Sequence, residues 1–123
     1  MGEWDGGVLD RIGREHVVQV VGGEGGHRPL GVWAVVVDGA VYVRSWRGNT
    51  DGWHAGFRDT GRGLLAVGGE RHAVTAEPVD DEVVQRAVDA AYLAKYDHGS
   101  ESSYAHDMVA DGARATTLRL SPR

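Results

Sequence analysis

The strongest constraint in this chain is a dipeptide. Asp38-Gly39 separates two β-rich runs, LGVWAVVV at 30–37 and AVYVRSW at 40–46. Asp-Gly between such runs signals a hairpin, because both central positions of a two-residue type I′ turn need positive φ. A two-residue turn sets the register: Val37 opposes Ala40, Val35 opposes Tyr42, and Trp33 opposes Arg44. Opposed residues share a face and side chains alternate along each strand. One face then carries Val32, Ala34, Val36, Val41 and Val43, a plain aliphatic core. The other carries Trp33, Val35, Tyr42, Arg44 and Trp46. Aromatic rings mixed with a cation suit a ligand site or a subunit interface. The plainer alternative is a Trp33–Arg44 cation–π pair with no ligand at all.

The remaining segments extend the β pattern. Residues 16–21 (HVVQVV) read as a strand, and the glycine-rich 22–29 breaks it. Residues 47–52 read as a loop and 53–60 as one or two helical turns. A second hairpin joins 63–67 to 70–77 around Gly68-Gly69, and Pro78 ends it. Asp80 is placed to cap a helix whose positive end carries Asp81 and Glu82 and whose far end carries Lys95. Val84, Ala87, Val88, Ala91 and Tyr92 recur on it at helical spacing, and Gly99 is placed to stop it. Residues 115–120 (ATTLRL) read as a closing strand. The order β, β-β, short helix, β-β, helix, β favours a small antiparallel barrel. At 123 residues the chain is expected to form one domain over 1–123, with a lead-in at 1–15 and a flexible segment at 97–112.

Composition narrows the chemistry. Absence of cysteine excludes disulfides, thiolate metal sites and a cysteine nucleophile. No apolar run approaches the roughly 18–20 residues of a membrane-spanning helix. The start, MGEWDGG, lacks a signal-peptide pattern, so a cytoplasmic protein is expected. A formal charge of -5 argues against nucleic acid as partner. Within 27–58, however, Arg28, Arg44, Arg47 and Arg58 face only Asp38 and Asp51, and Trp33, Trp46 and Trp53 lie in the same stretch. That pairing points to a pocket for a flat, anionic ligand. Arg28, Arg44, Ser45 and Arg47 supply donors for a phosphate or carboxylate. Asp51, His54 and Asp59 lie close to Trp53 in sequence, where a shifted pKa would serve acid–base work; an exposed helix cap is the plainer role for Asp51. The six histidines form neither HxH nor HExxH, so no metal site is expected, and no serine sits in a GxSxG elbow.

The runs RPLGVWAVVVDGAVYVRSWRG, GW, GGERHAVTAEPVDD, AAYLAKY and ARATTLRLSPR together resemble a bacterial family, the domain of unknown function 2255. The YVRS-x-RG element, the AYxAKY helix and the ATTLRL-x-PR ending carry the likeness, which spans residues 17–123. That family is similar in pattern to the split-barrel flavin and deazaflavin proteins of the pyridoxamine-phosphate-oxidase type. The resemblance implies a mainly β, α+β fold: a six-stranded antiparallel split β-barrel with one packed helix, usually a homodimer with its cofactor at the subunit interface. It implies FMN or a deazaflavin as cofactor, or another planar ligand. Transferred to this chain, the phosphate contacts fall on His27, Arg28, Arg44, Ser45 and Arg47, with Trp53 nearby, and Trp33, Tyr42 and Trp46 complete the binding set.

Two function classes follow. One is a flavin- or deazaflavin-dependent oxidoreductase. The other, favoured by a turn that reads GGEGGHR where the deazaflavin reductases carry GRxSGxxR, is a cofactor-free isomerase, cyclase or dehydratase, or a binding protein, for a small planar metabolite of secondary metabolism. There His27, Asp51 or His54 would move protons. A third possibility is an interaction domain whose tryptophan face is a dimer seam.

Overall fold

Both residues of the Asp38-Gly39 turn take positive φ, 50° and 79°. They join β3 (Ala34–Val37) to β4 (Ala40–Val43) in the expected register, Val37 opposite Ala40 and Val35 opposite Tyr42. This computed structural model describes residues 3–23 and 28–123. The two faces separate as the alternation requires. Val32, Ala34, Val41 and Val43 enter the barrel interior. Val35 and Tyr42 pack outward against Val88, Tyr92 and Tyr96 of α3 (Glu82–Tyr96).

The run 30–37 is not one strand. It breaks at Trp33 into β2 (Leu30–Val32) and β3. β2 pairs with β1 (Val18–Gly22), whereas β3 pairs with β4. With β5 (Arg62–Val67), β6 (Glu70–Pro78) and β7 (Leu118–Pro122), the sheet has seven strands in the order β2-β1-β5-β6-β7-β4-β3. Each neighbouring pair is antiparallel. The outermost strands, β2 and β3, are consecutive in the chain, so Trp33 links the two edges and the sheet curls into a nearly closed barrel. The expected six strands become seven because of this break alone. The ladder of β3 and β4 ends at Ala34 and Val43, so the expected Trp33–Arg44 pair does not form.

α3 seals the break. Buried carbonyls need donors, and Tyr92 Oη donates to Trp33 O at 2.8 Å. Lys95 Nζ donates to Ala34 O at 2.7 Å and Ile12 O at 3.1 Å. Tyr96 Oη donates to His16 O at 2.7 Å. Tyr92, Lys95 and Tyr96 stand at i, i+3 and i+4 and so share a helix face. This is the physical content of the AYLAKY run.

Elsewhere local chemistry adjusts the expectations. Asp81, one residue after the expected Asp80, caps α3 by accepting from Val83 N at 2.8 Å and Val84 N at 3.2 Å. The helix stops at Tyr96, and Gly99 instead begins a short 3₁₀ turn. Segment 97–112 carries that turn, α4 (Ser102–Met108) and the start of α5 (Asp111–Arg114). The lead-in forms α1 (Gly6–Arg14), capped by Asp5. Ahead of it, Trp4 enters the core and donates its indole N–H to Leu120 O at 3.0 Å. α2 (Trp53–Thr60) lies against β1 at glycine contact: a Cβ on Gly22 would overlap the Trp53 carbonyl. Among the described residues, no helix is long and apolar enough to cross a membrane.

Candidate functional site

A cleft of about 340 Å³ opens beside the break, close to the lower bound of volumes usual for small-molecule sites. Leu30, Gly31, Val32 and Trp33 form one wall. Arg44, Ser45, Trp46 and Asn49, which follow β4, form the second. Trp53 of α2 and Tyr104 and Met108 of α4 complete it. Three of the chain's four tryptophans therefore meet here from three different elements.

Each ring is braced from behind. Trp33 lies flat on Tyr96, with centroids 4.0 Å apart and planes 1° from parallel. Trp46 donates its indole N–H to Asp107 Oδ2 at 3.0 Å, while the Arg47 guanidinium covers its ring at 4.3 Å. Trp53 meets Phe57 edge-on at 6.0 Å. Asp97 anchors α4 twice: at its start Ser102 Oγ donates to Asp97 Oδ1 at 2.5 Å, and one turn on His106 Nε2 lies 3.2 Å from Asp97 Oδ2. The Ser102 hydroxyl, above all, holds the Asp97 carboxyl below its ordinary pKa. Tyr104 and Met108 stand four residues apart on this helix, so both present to the cleft.

Arg44 corrects the sequence reading. Its side chain is fully buried, and all five N–H donors are engaged within the protein. Nε donates to Thr117 Oγ1 at 2.9 Å. Nη1 donates to Asp89 Oδ1 at 2.6 Å and Met108 O at 2.9 Å. Nη2 donates to Gln85 Oε1 at 2.6 Å and Gln85 O at 3.2 Å. Its ring contact is Tyr92, at 5.6 Å, rather than Trp33. Gln85 closes the network, its amide donating to Val79 O at 2.8 Å and Arg114 O at 3.0 Å. Arg44 thus forms part of the cleft wall with no donor left for a phosphate, and it ties β4 to α3 and α4.

The other expected residues divide. Ser45 lines the cleft, is only 4% exposed, and its hydroxyl has no hydrogen-bond partner among the described residues. Its backbone N–H donates to Thr116 Oγ1 at 2.8 Å, which fixes the residue in place. Arg47 is exposed, holds a positive φ of 58°, and has no acidic partner among the described residues. Arg28 is exposed and is not among the lining residues. Tyr42 is buried under α3, away from the cleft wall.

The residues named for proton transfer do not gather. His27 lies outside the described residues. Asp51 is exposed in the turn before α2, its backbone N–H donating to Asn49 Oδ1 at 2.9 Å. His54 is buried on α2 with Nε2 2.9 Å from Thr116 O, which makes Nε2 the protonated nitrogen, and Nδ1 has no partner. Neither Asp51 nor His54 lines the cleft. Sequence reasoning missed Asn49, Tyr104 and Met108. The i, i+4 spacing of the last two was the available signal.

Comparison with known proteins agrees on the fold. A crystal structure of a conserved hypothetical protein, Rv2991, from Mycobacterium tuberculosis is similar with a TM-score of 0.58 at 15% identity, covering 98% of this chain and 79% of that one. A crystal structure of an FAD-binding protein (mll6688) from Mesorhizobium loti is similar with a TM-score of 0.51 at 13% identity, covering 97% of this chain and 88% of that one. No curated protein matches in sequence. The family model described as an uncharacterized protein conserved in bacteria (DUF2255) matches residues 8–120.

Proposed function

The chain belongs to the DUF2255 family, and from its cleft we propose that it binds a planar small molecule, a flavin-type group foremost. One observation carries this reading: three braced indoles and Tyr104 wall a cleft beside the unpartnered hydroxyl of Ser45, a residue otherwise buried. Flat aromatic faces match a flat ring, and the few polar groups of the lining, Ser45 first, orient it. The likeness of fold to an FAD-binding protein supports the same class of ligand.

In its finer form the proposal is an oxidoreductase that uses FMN or a deazaflavin. Such a group would supply the electron or hydride chemistry. The chain would supply the rest. Trp33, Trp46 and Trp53 would contact the ring, Ser45 would meet a polar edge, and Met108 with Leu30 would exclude water. The cofactor-free isomerase or dehydratase is the weaker reading, because neither Asp51 nor His54 lines the cleft to move a proton. The rim is apolar and open, with Leu30 51%, Trp46 43% and Tyr104 48% exposed. In this proposal a second copy of the chain covers it, making a homodimer.

Titration of purified protein with FMN, riboflavin and a deazaflavin, followed by tryptophan quenching, tests the reading. Saturable binding at micromolar concentrations is expected. No binding by any of the three overturns it.

A further inference from the structure

The cleft's one buried cation has nothing left to give. Arg44 engages all five of its donors with Thr117, Asp89, Met108 and Gln85, and the Asp89 carboxylate balances its charge. An anionic group pushed against this wall would meet no donor from Arg44. It would find no free cation to replace the water it leaves, which is costly. The polar side chains that remain in the lining are Ser45, Asn49 and Tyr104, all uncharged, and of these only Ser45 is itself buried. A cation without an acidic partner among the described residues stands at the surface beside the lining: Arg47, lying over the outer ring of Trp46. Its positive φ of 58° holds it there, and Gly48 beside it packs so tightly on Gly112 that a Cβ would clash.

We infer that the cleft selects an uncharged ring, hydrogen-bonded to the Ser45 hydroxyl, and that any anionic substituent of the ligand stays outside, read by Arg47. This rests on the planar-ligand reading above and inverts the expected arrangement, in which Arg44 and Ser45 hold a phosphate. Ser45 is the specificity residue for the ring. Arg47 contributes only a screened, surface attraction for charge.

Three probes with one ring system and different tails separate the possibilities: lumiflavin, riboflavin and FMN. Their affinities are read by calorimetry at low salt and at about 1 M salt, where the Debye length is about 3 Å. Lumiflavin is expected to bind within about tenfold of FMN. Any FMN preference is expected to vanish in high salt and in Arg47→Ala. Ser45→Ala is expected to weaken all three equally, by about two- to tenfold, with an unchanged melting temperature. An FMN preference above about a hundredfold that survives high salt and Arg47→Ala places the phosphate inside. That result overturns this inference and leaves the planar-ligand reading standing. Unequal effects of Ser45→Ala, concentrated on FMN, overturn it likewise. Failure of all three ring compounds to bind overturns the planar-ligand reading itself, and this inference with it.

Discussion

An arginine withdrawn from water is stable only where each N–H finds an acceptor. Arg44 meets that condition through side chains from α3 and backbone from α4, over 40 residues away in sequence. Arg44→Ala is therefore expected to cost about 1.5–3 kcal/mol, because the Met108 carbonyl loses a buried donor while Asp89 keeps only Arg114 and Gln85 Oε1 only Thr117. A lowered urea midpoint with an unchanged slope would show it; a loss under about 1 kcal/mol would contradict the account. Trp46 is the opposite case. It is 43% exposed, so Trp46→Ala is expected to leave stability nearly intact while weakening a ring ligand by about two- to tenfold, read by calorimetry. Nothing local distinguishes these two residues. Both follow a β-branched run, and an arginine near other arginines reads as a surface donor. Burial of Arg44 is decided by Gln85 and Asp89, which sit on a helix that the sequence shows mainly through its valines and alanines.

At the level of elements, the hairpin was legible and the break was not. Asp38-Gly39 dictates its own turn, and alternation then assigns each neighbour to a face. LGVWAVVV, by contrast, has nothing at Trp33 that disfavours a strand, and its one glycine, Gly31, lies inside β2 rather than at the break. Its interruption at Trp33 is stabilised from outside, by hydroxyls and an ammonium on α3. Tyr92→Phe is accordingly expected to cost about 1–3 kcal/mol, since it leaves the Trp33 carbonyl without its donor, and thermal unfolding measures this. The capping of α3 gives a sharper contrast: Asp81→Ala is expected to cost about 1 kcal/mol and Asp80→Ala close to nothing. Equal losses would show that both aspartates act through the helix dipole instead. α4 escaped detection for a different reason. Seven residues are too few to be helical on their own; the Asp97 anchor and the cleft hold them.

For the whole molecule, the same sealed break shapes the response to pH. Burial pulls the Lys95 ammonium down to about 8, with Glu15 opposing. Between pH 8 and about 10 the unfolded chain thus binds more protons at this position than the folded one, so stability rises with pH. Burial also pushes the Tyr92 and Tyr96 hydroxyls up. Above about pH 10 the unfolded chain loses those protons first, so stability falls. Urea titrations across this range are expected to give a maximum near pH 9–10, within the window between these reference values. Lys95→Met is expected to remove the rising limb while leaving the falling one. A monotonic decline from pH 8 in the parent protein would refute the assignment.

Because the first and last ribbons of the ring are one piece of chain, the molecule offers newcomers only a landing strip of three or four residues on either side of Trp33. Runaway stacking of copies into fibres needs a long unprotected border, and here the bend at a single indole denies it. The residue that shapes the cleft thereby also limits edge-to-edge stacking of one copy on another.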